Sequence, residues 1–144
     1  MHLIAFCCVL LAFFWTSEAH LVTFEPFTSS NCSGASGSLV TLNTGECLNN
    51  HDFSKVDCSI LQQCLAGNNQ MTYQELVECS GAPALSLSIN ITATEDGSIT
   101  VHTYPISKTC FGIPVPVHED VGDCSKLFAF NPDCYPSGQF GLEW

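Results

Sequence analysis

The sequence predicts a mainly β fold, a small antiparallel sandwich or open barrel that is stapled by disulfides and carries one short helix. Three observations lead to this prediction. Apolar and polar residues alternate around a turn signal in the second half of the chain, cysteines are numerous, and a short phrase of an aromatic residue followed by Cys-x-Gly recurs. Short alternating strands, glycine-containing turns and many cysteines are typical of small exported domains.

The clearest strand prediction is a hairpin. Apolar residues alternate with serine, asparagine and threonine over residues 85–92, which is the pattern of a half-buried strand. Residues 95–97, Glu-Asp-Gly, are a turn signal, and residues 99–103 return as the partner strand. Weaker strands are predicted at residues 39–42 and 115–117, the second of them at a sheet edge or bulge because prolines flank and interrupt it.

One helix is predicted near the middle of the chain. Apolar residues recur at helical spacing over residues 53–65, with Asp52 as the cap at the start and Gly67 at the end. Cys58 and Cys64 are separated by about 240° around such a helix, so we do not expect them to pair with each other. They would instead pin the helix at two points to the sheet.

The N-terminal residues have the pattern of a secretory signal peptide. Residues 3–15 form an apolar run that suits a signal-peptide core and is too short to span a bilayer. Ser17 and Ala19 are small residues at the two positions that a signal peptidase reads. We therefore predict that residues 1–19 are removed and that residues 20–144 form a single secreted, disulfide-rich domain with internal repeats.

The recurring phrase consists of an aromatic residue, four or five further residues, and a cysteine that begins a Cys-x-Gly turn. Its three copies start at Phe27, Tyr73 and Tyr104. The first and third copies also share flanks, because a β-like triplet precedes each of them and Gly-Glu-Cys or Gly-Asp-Cys follows. Matching flanks at both ends predict an internal duplication. We expect each copy to be a strand that ends in a buried aromatic residue, followed by a stapled loop.

The phrase resembles that of secreted, cysteine-rich Cys-x-Gly repeat proteins of amoebae and other protists. The resemblance covers residues 22–134. Proteins of this kind are mostly without an assigned activity. The resemblance therefore implies export and a β scaffold, and it implies no chemistry.

The cysteine content predicts four disulfides. Two of the ten cysteines lie in the predicted signal peptide, and an even set of eight remains, which implies a disulfide framework in an exported chain. Spacing does not choose among the possible connectivities, but we expect Cys32–Cys47 and Cys110–Cys124 within the repeats and cross-links among the other four. The eight cysteines are Cys32, Cys47, Cys58, Cys64, Cys79, Cys110, Cys124 and Cys134.

Two sequons predict that the protein is glycosylated. They begin at Asn31 and Asn90. Asn90 is the better candidate because strand alternation points it outward, away from the core. Asn31 is the weaker one because disulfide formation at the adjacent Cys32 would hide it.

The charge composition excludes several classes of partner. The chain has three basic residues, fourteen acidic residues and a formal net charge of −11. A nucleic-acid backbone and an anionic membrane surface would both be repelled. The basic residues are all lysines, so planar arginine clamps for phosphate are absent as well. We predict an extracellular protein or carbohydrate as partner, with no nucleic acid and no membrane insertion.

The sequence offers one specific enzymatic hypothesis. His20 at a mature N-terminus resembles the start of lytic polysaccharide monooxygenases, which implies copper held by its amino group and ring, with His102 or His118 as a further ligand. The simpler alternative is that His20 is whatever residue follows the cleavage site. A Gly-x-Ser-x-Gly elbow is absent, and oxidised cysteines supply no thiol nucleophile. We expect no cofactor and no enzymatic activity.

The leading hypothesis is a secreted, non-enzymatic module for binding or structure outside the cell or at its surface. The alternatives are a secreted effector or inhibitor of another protein and a copper-dependent oxidative enzyme. Most of the aromatic residues near the phrases, a group that includes Phe111, are expected in the core. A late aromatic cluster is harder to bury and is the candidate binding face. Its members are Phe128, Phe130, Tyr135, Phe140 and Trp144.

Overall fold

The computed structural model describes residues 19–67 and 69–144, so the predicted signal peptide lies, apart from Ala19, outside the described residues. The predicted mainly β fold is confirmed. The strands are β1 (Leu21–Phe27), β2 (Val40–Asn43), β3 (Cys47–His51), β4 (Met71–Thr72), β5 (Ala84–Ala93), β6 (Ser98–Tyr104), β7 (Val115–Asp120), β8 (Cys124–Ser125) and β9 (Ser137–Glu143). The helices are α1 (Cys58–Cys64) and α2 (Tyr73–Ser80), and a 3-10 turn covers Phe53–Lys55.

The strands form two sheets that do not close into a barrel. The first sheet has the order β4-β2-β1-β9-β8 and the second has the order β3-β5-β6-β7. All neighbours are antiparallel except β2 and β4, which are parallel. Inward-facing residues of both sheets share one core cluster, with Val22 and Phe24 from the first sheet and Ile91 and Val101 from the second. Burial of both inner faces therefore holds the sheets together.

Apart from β4, the two sheets follow the same plan. The order β2-β1-β9-β8 in the first sheet corresponds to β7-β6-β5-β3 in the second. Strands β1, β2 and β3 accompany the first copy of the phrase, and β6, β7 and β8 accompany the third. The last strand of each set lies in the other sheet, since β3 pairs with β5 and β8 pairs with β9. This exchange agrees with the duplication, which stays a prediction from sequence.

The structure has the four predicted disulfides, but two of the expected pairs are wrong. The observed bridges are Cys32–Cys124, Cys47–Cys110, Cys58–Cys134 and Cys64–Cys79. The expected pairs Cys32–Cys47 and Cys110–Cys124 do not form because the exchanged strands separate them. Strand β3 carries Cys47 into the second sheet beside Cys110, and β8 carries Cys124 into the first sheet beside Cys32.

Helix α1 is shorter than the predicted helix. Asp57 caps its start by accepting a hydrogen bond from the Ser59 N–H at 2.8 Å. The chain before it forms the 3-10 turn and then an extended residue, Val56, which interrupts the helical run. Cys58 and Cys64 do not pair with each other, as predicted. Neither cysteine pins α1 to a sheet, however, because Cys64 binds it to α2 and Cys58 binds it to Cys134, which lies in the turn before β9.

Helix α2 lies where the sequence predicts the second copy of the strand phrase, so the prediction of a strand in that copy is wrong. Thr72 and Glu75 form a capping box at its start, in which each side chain accepts from the other residue's backbone N–H. Gly81 ends the helix in the left-handed conformation with φ 65°. The second Cys-x-Gly is therefore a helix end, for which glycine is the preferred residue.

The C-terminal segment forms β9, a central strand of the first sheet between β1 and β8. Its Gly138 lies directly under the ring of Phe24, where a Cβ atom would stand 2.0 Å from the Phe24 Cζ atom and 2.8 Å from the Glu25 carbonyl oxygen. The ring of Phe24 in turn packs against that of Phe140, with the ring centroids 5.0 Å apart. A residue without a side chain is therefore required at this crossing.

We expect Gly138→Ala to lower the free energy of unfolding by about 1–3 kcal/mol, because the added methyl group overpacks the Phe24 ring. Gly141→Ala on the same strand is the matched comparison and should cost less, because its added Cβ atom would meet only the end of the Thr23 side chain, 2.5 Å from the hydroxyl oxygen. Urea unfolding with the disulfides intact measures both variants. Equal stability of the Gly138 variant and the unsubstituted protein would contradict this packing.

Candidate functional site

Two loops occupy corresponding places in the two sheets. The first loop, residues 28–36, follows β1, and the second loop, residues 105–114, follows β6. Cys32 in the first loop and Cys110 in the second both have positive φ angles, 52° and 53°, which are rare for residues other than glycine. A disulfide and backbone hydrogen bonds hold each cysteine in this conformation. The two loops therefore share one local geometry.

A buried serine fastens the second loop to its sheet. Ser88 of β5 has no exposed surface, and its hydroxyl donates to the Ser107 carbonyl and accepts from the Cys110 N–H, both at 2.9 Å. Within the loop, the Ser107 hydroxyl accepts from the N–H groups of Thr109 at 3.2 Å and Phe111 at 3.0 Å. Together with the Cys47–Cys110 bridge, these bonds make the loop a rigid platform.

The first loop is fastened in the same way. Ser137 of β9 is fully buried, donates to the Ser29 carbonyl and accepts from the Cys32 N–H at 3.4 Å. The Ser29 hydroxyl accepts from the Ser33 N–H at 2.8 Å. Ser29, Cys32 and Ser33 therefore correspond to Ser107, Cys110 and Phe111 of the second loop.

The two loops differ in the side chains that they expose. In the second loop Ile106, Phe111 and Ile113 are 94%, 83% and 91% exposed. We call these three side chains the apolar tip. Their counterparts in the first loop are Thr28, Ser33 and Ala35, which are polar or small. The same scaffold thus carries a hydrophilic surface in one copy and an apolar one in the other.

The apolar tip also stands in a stretch without negative charge. Between Asp96 and Glu119 the sequence has no acidic residue, although the chain as a whole carries −11. Lys108, one of three basic residues in the protein, lies within the second loop. The tip is therefore apolar and locally cationic on a strongly acidic body.

The predicted aromatic binding face does not form. Phe130, Tyr135 and Phe140 are buried in the core, Phe128 is half-buried, and of the five only Trp144 is exposed. Strand β9 draws the C-terminal segment into the first sheet, and this buries Phe140 in the core. Phe111 is an exception to the expectation that most aromatic residues near the phrases lie in the core. The signal that could have found it is the run from Phe111 to Val117, which consists of apolar residues and glycine yet has no strand alternation.

The structure places the three candidate copper ligands in two regions. The His20 N–H donates to the Thr44 hydroxyl at 2.8 Å, and its ring packs edge-on against Trp144 at the start of the first sheet. His102 and His118 lie on the outer face of the second sheet. Within residues 19–67 and 69–144, no group of three or more His, Cys, Asp or Glu side chains could hold a metal ion. Copper binding stays a prediction.

His102 and His118 are both engaged by threonines of neighbouring strands. The His102 Nε2 atom is 3.2 Å from the Thr92 hydroxyl, and the His118 Nδ1 atom is 2.8 Å from the Thr100 hydroxyl. Cross-strand register places Thr100 opposite His118 and Asn90 opposite His102. Each histidine therefore belongs to a polar cross-strand pair on the outer surface of the sheet.

The two sequon asparagines have different surroundings. Asn90 lies on the outer face of β5, as predicted, but it is half-buried and its side-chain amide donates to the Glu46 carbonyl at 3.2 Å. Asn31 is exposed in the first loop, where its side-chain oxygen accepts from the Ser33 hydroxyl at 2.7 Å. Exposure therefore favours Asn31. Glycosylation of either residue stays a prediction.

A cleft of about 210 Å³ opens on the inner side of the second sheet. Its floor includes Ile89 of β5 and Val101 of β6, and the rings of Phe53, Phe128 and Phe130 contribute its walls. No local sequence pattern marks this cleft, because its lining residues come from five separate segments. Apolar and aromatic walls with a few polar groups are typical of small-molecule sites.

Tyr73, at the start of α2, lines the same cleft and is tightly held. Its hydroxyl donates to the Asn49 carbonyl and accepts from the His51 N–H, both at 3.2 Å. Burial raises the pKa of Tyr73 from 10.0 to about 12, because the charged phenolate is poorly solvated there. The phenol therefore stays protonated through the physiological range.

The chain matches no family model, no curated protein and no solved structure. In the described part of the chain, none of the helices is long and apolar enough to cross a membrane. Function therefore has to be inferred from the geometry of the second loop and of the cleft.

We expect Ser88→Ala to lower the free energy of unfolding by about 1–3 kcal/mol, because it leaves the Cys110 N–H and the Ser107 carbonyl without a partner. Ser137→Ala is the matched variant in the first loop. Hydrogen exchange should accelerate at the Cys110 amide in the first variant and at the Cys32 amide in the second. Unchanged exchange at both amides would show that the serines do not hold the loops.

We expect stability to fall as the pH rises from 10 towards 12. Because the folded-state pKa of Tyr73 lies above its ordinary value, the stabilisation is complete below pH 10 and is lost as the phenol ionises. The loss should reach about 2–3 kcal/mol. Rapid pH-jump unfolding measures it. Tyr73→Phe should remove most of this decline and leave the part that belongs to Tyr135, whose pKa burial also raises. An undiminished decline in that variant would assign it to other groups.

Proposed function

We propose that the protein is a secreted, non-enzymatic binding module that engages another extracellular protein through the apolar tip of the second loop. The observation that carries this proposal is the near-complete exposure of Ile106, Phe111 and Ile113 on one clamped loop. Exposed clusters of large apolar side chains are a mark of interaction surfaces. The four disulfides fit an extracellular location.

The rigidity of the loop favours binding. Cys110 is fixed by its bridge to Cys47 and by its hydrogen bond to Ser88. Ordering a flexible loop costs free energy on association, and a loop that is already ordered avoids most of that cost. Burial of the three side chains would contribute about 1.5–3 kcal/mol each.

The tip is suited to recognition by side chains rather than by strand addition. The N–H groups of Thr109, Cys110 and Phe111 already donate to serine hydroxyls within the protein. A partner that pairs as a β-strand, as many peptide ligands do, needs free backbone groups. The complementary surface on the partner is therefore an apolar pocket or groove.

A protein fits the tip better than a carbohydrate does. Branched aliphatic side chains such as Ile106 and Ile113 offer a sugar neither hydrogen bonds nor a flat ring for stacking. The net charge of −11 would in addition steer a basic partner toward the molecule. Lys108, within the second loop, gives the tip itself a local positive charge. We expect a partner with an overall positive charge and an apolar pocket.

Fewer observations support the two alternative functions. A secreted effector or inhibitor would use the same tip, and it differs from the leading proposal only in what binding does to the partner. A copper-dependent enzyme needs a ligand set around His20, which is packed against Trp144 and apart from the sheet that carries His102 and His118. The binding module is therefore the proposal that the exposed side chains support.

Replacement of the tip by its counterpart residues tests the proposal. We expect Ile106→Thr, Phe111→Ser and Ile113→Ala together to weaken saturable binding of the labelled protein to the secreting cells by about 100-fold or more, with unchanged unfolding. Ser33→Thr with Ala35→Ser, in the first loop, is the matched control and should bind normally.

Treatment of the cells with a protease before the assay should abolish binding if the partner is a protein. Phosphatidylcholine vesicles free of protein should not bind. Wild-type affinity of the triple variant would overturn the assignment to the tip. Strong, tip-dependent binding to the vesicles would make lipid the ligand instead.

A further inference from the structure

The cleft on the inner side of the second sheet shares no lining residue with the apolar tip. Ile89 and Val101 form part of its floor and are themselves 2% and 1% exposed. Leu127 and Phe128 stand at its side and are more exposed. The cleft therefore runs from solvent down to the core of the protein.

The walls of the cleft are mainly aromatic. Phe53 lies edge-to-face against Phe130, with ring centroids 5.1 Å apart, and against Tyr73 at 5.8 Å. Phe128 adds another ring to the lining. An aromatic guest continues such an edge-to-face arrangement favourably.

The size of the cleft limits the ligand. A dry cavity of roughly 150 Å³ lined by similar side chains holds benzene, so about 210 Å³ holds a ring with a few more atoms. By proportion the guest has roughly eight or nine non-hydrogen atoms. A substituted single ring or a small fused ring system meets this limit.

The polar lining of the cleft includes two acceptors, His51 and Asp52, beside Asn50, Ser54 and Thr103. The Nδ1 atom of His51 is 3.0 Å from the Ala82 carbonyl oxygen, which only accepts, so Nδ1 carries the proton and Nε2 is the acceptor in the neutral ring. Asp52 adds a carboxylate, and the Ser54 hydroxyl followed by Lys55 holds its pKa below the ordinary value, so it stays ionised. Anions are disfavoured here, and ligands with an N–H or O–H donor are favoured.

We propose that this cleft binds a small, uncharged aromatic molecule that carries one hydrogen-bond donor, with the ring packed against the lining phenylalanines and the donor directed to His51. The class includes indoles and simple phenols. Indole, with its single N–H, is the probe. This site is separate from the proposed function and stands or falls without it.

Titration of the disulfide-bonded protein with indole, followed by the methyl resonances of leucine, isoleucine and valine, tests the proposal. We expect saturable shifts at Leu85, Ile89, Val101 and Leu127. Ala129→Phe and Thr103→Phe fill the cleft from opposite sides, and each should weaken binding about tenfold or more. Ala93→Leu is the control. Ala93 is also a partly buried alanine, but it lies on β5 outside the cleft, so this variant should bind as the unsubstituted protein does.

Two further ligands examine the polar contact. Benzoate, an anion of the same size class, should bind far more weakly than indole. N-methylindole lacks the donor and should bind less tightly to the unsubstituted protein, whereas the His51→Phe variant should bind both indoles alike. If only the His51 variant fails to distinguish indole from N-methylindole, the N–H of indole donates to His51. If that variant still distinguishes them, the assignment is contradicted.

The proposal is overturned if the cleft methyl groups do not shift up to the solubility of indole, or if both filled variants bind as the unsubstituted protein does. Shifts at Ile106 and Ile113 alone would place the indole on the apolar tip instead. That result would remove the cleft site and leave the proposed function untouched. Saturable binding in the cleft with no role for the tip in cell binding would support the cleft site and overturn the proposed function.

Discussion

The exchange of β3 and β8 between the two sheets is the constraint on which the rest of the structure depends. It places Cys47 beside Cys110 and Cys124 beside Cys32, so that each bridge ties one loop to a strand that follows the other loop. The Cys32–Cys124 bridge spans a sequence separation of 92 residues and the Cys47–Cys110 bridge one of 63. Closing such long loops restricts the unfolded chain, which stabilises the fold by about 2–4 kcal/mol per bridge. A domain of this size has a limited core, so such bridges matter.

The same exchange makes one scaffold available for two surfaces. Ser88 and Ser137 hold the second and first loops by equivalent hydrogen bonds, and both hydroxyls are inaccessible to solvent. The positions that these loops expose do not contact the core, so they tolerate either hydrophilic or apolar side chains. In the second loop three large apolar residues occupy these positions, as the proposed binding to a partner requires.

Two neighbouring residues of β5 serve the two proposed sites. Strand alternation turns Ser88 to the outer face, where it holds the second loop, and Ile89 to the inner face, where it forms part of the floor of the cleft. The tip and the cleft therefore lie on opposite sides of one strand and do not compete for the same surface. A shift of β5 by one residue would reverse both faces, so the register of this strand is essential to both sites.

The sequence by itself determined the β5 and β6 hairpin and the number of disulfides. Alternation from Leu85 to Thr92 is a property of adjacent residues, so it predicts this hairpin correctly. The partners of the cysteines and the burial of Phe140 were decided only by tertiary structure. Each of these depends on which strand becomes the neighbour of which, and strands distant in sequence meet only after the sheets assemble. For the same reason no local pattern marks the cleft, whose lining comes from five segments.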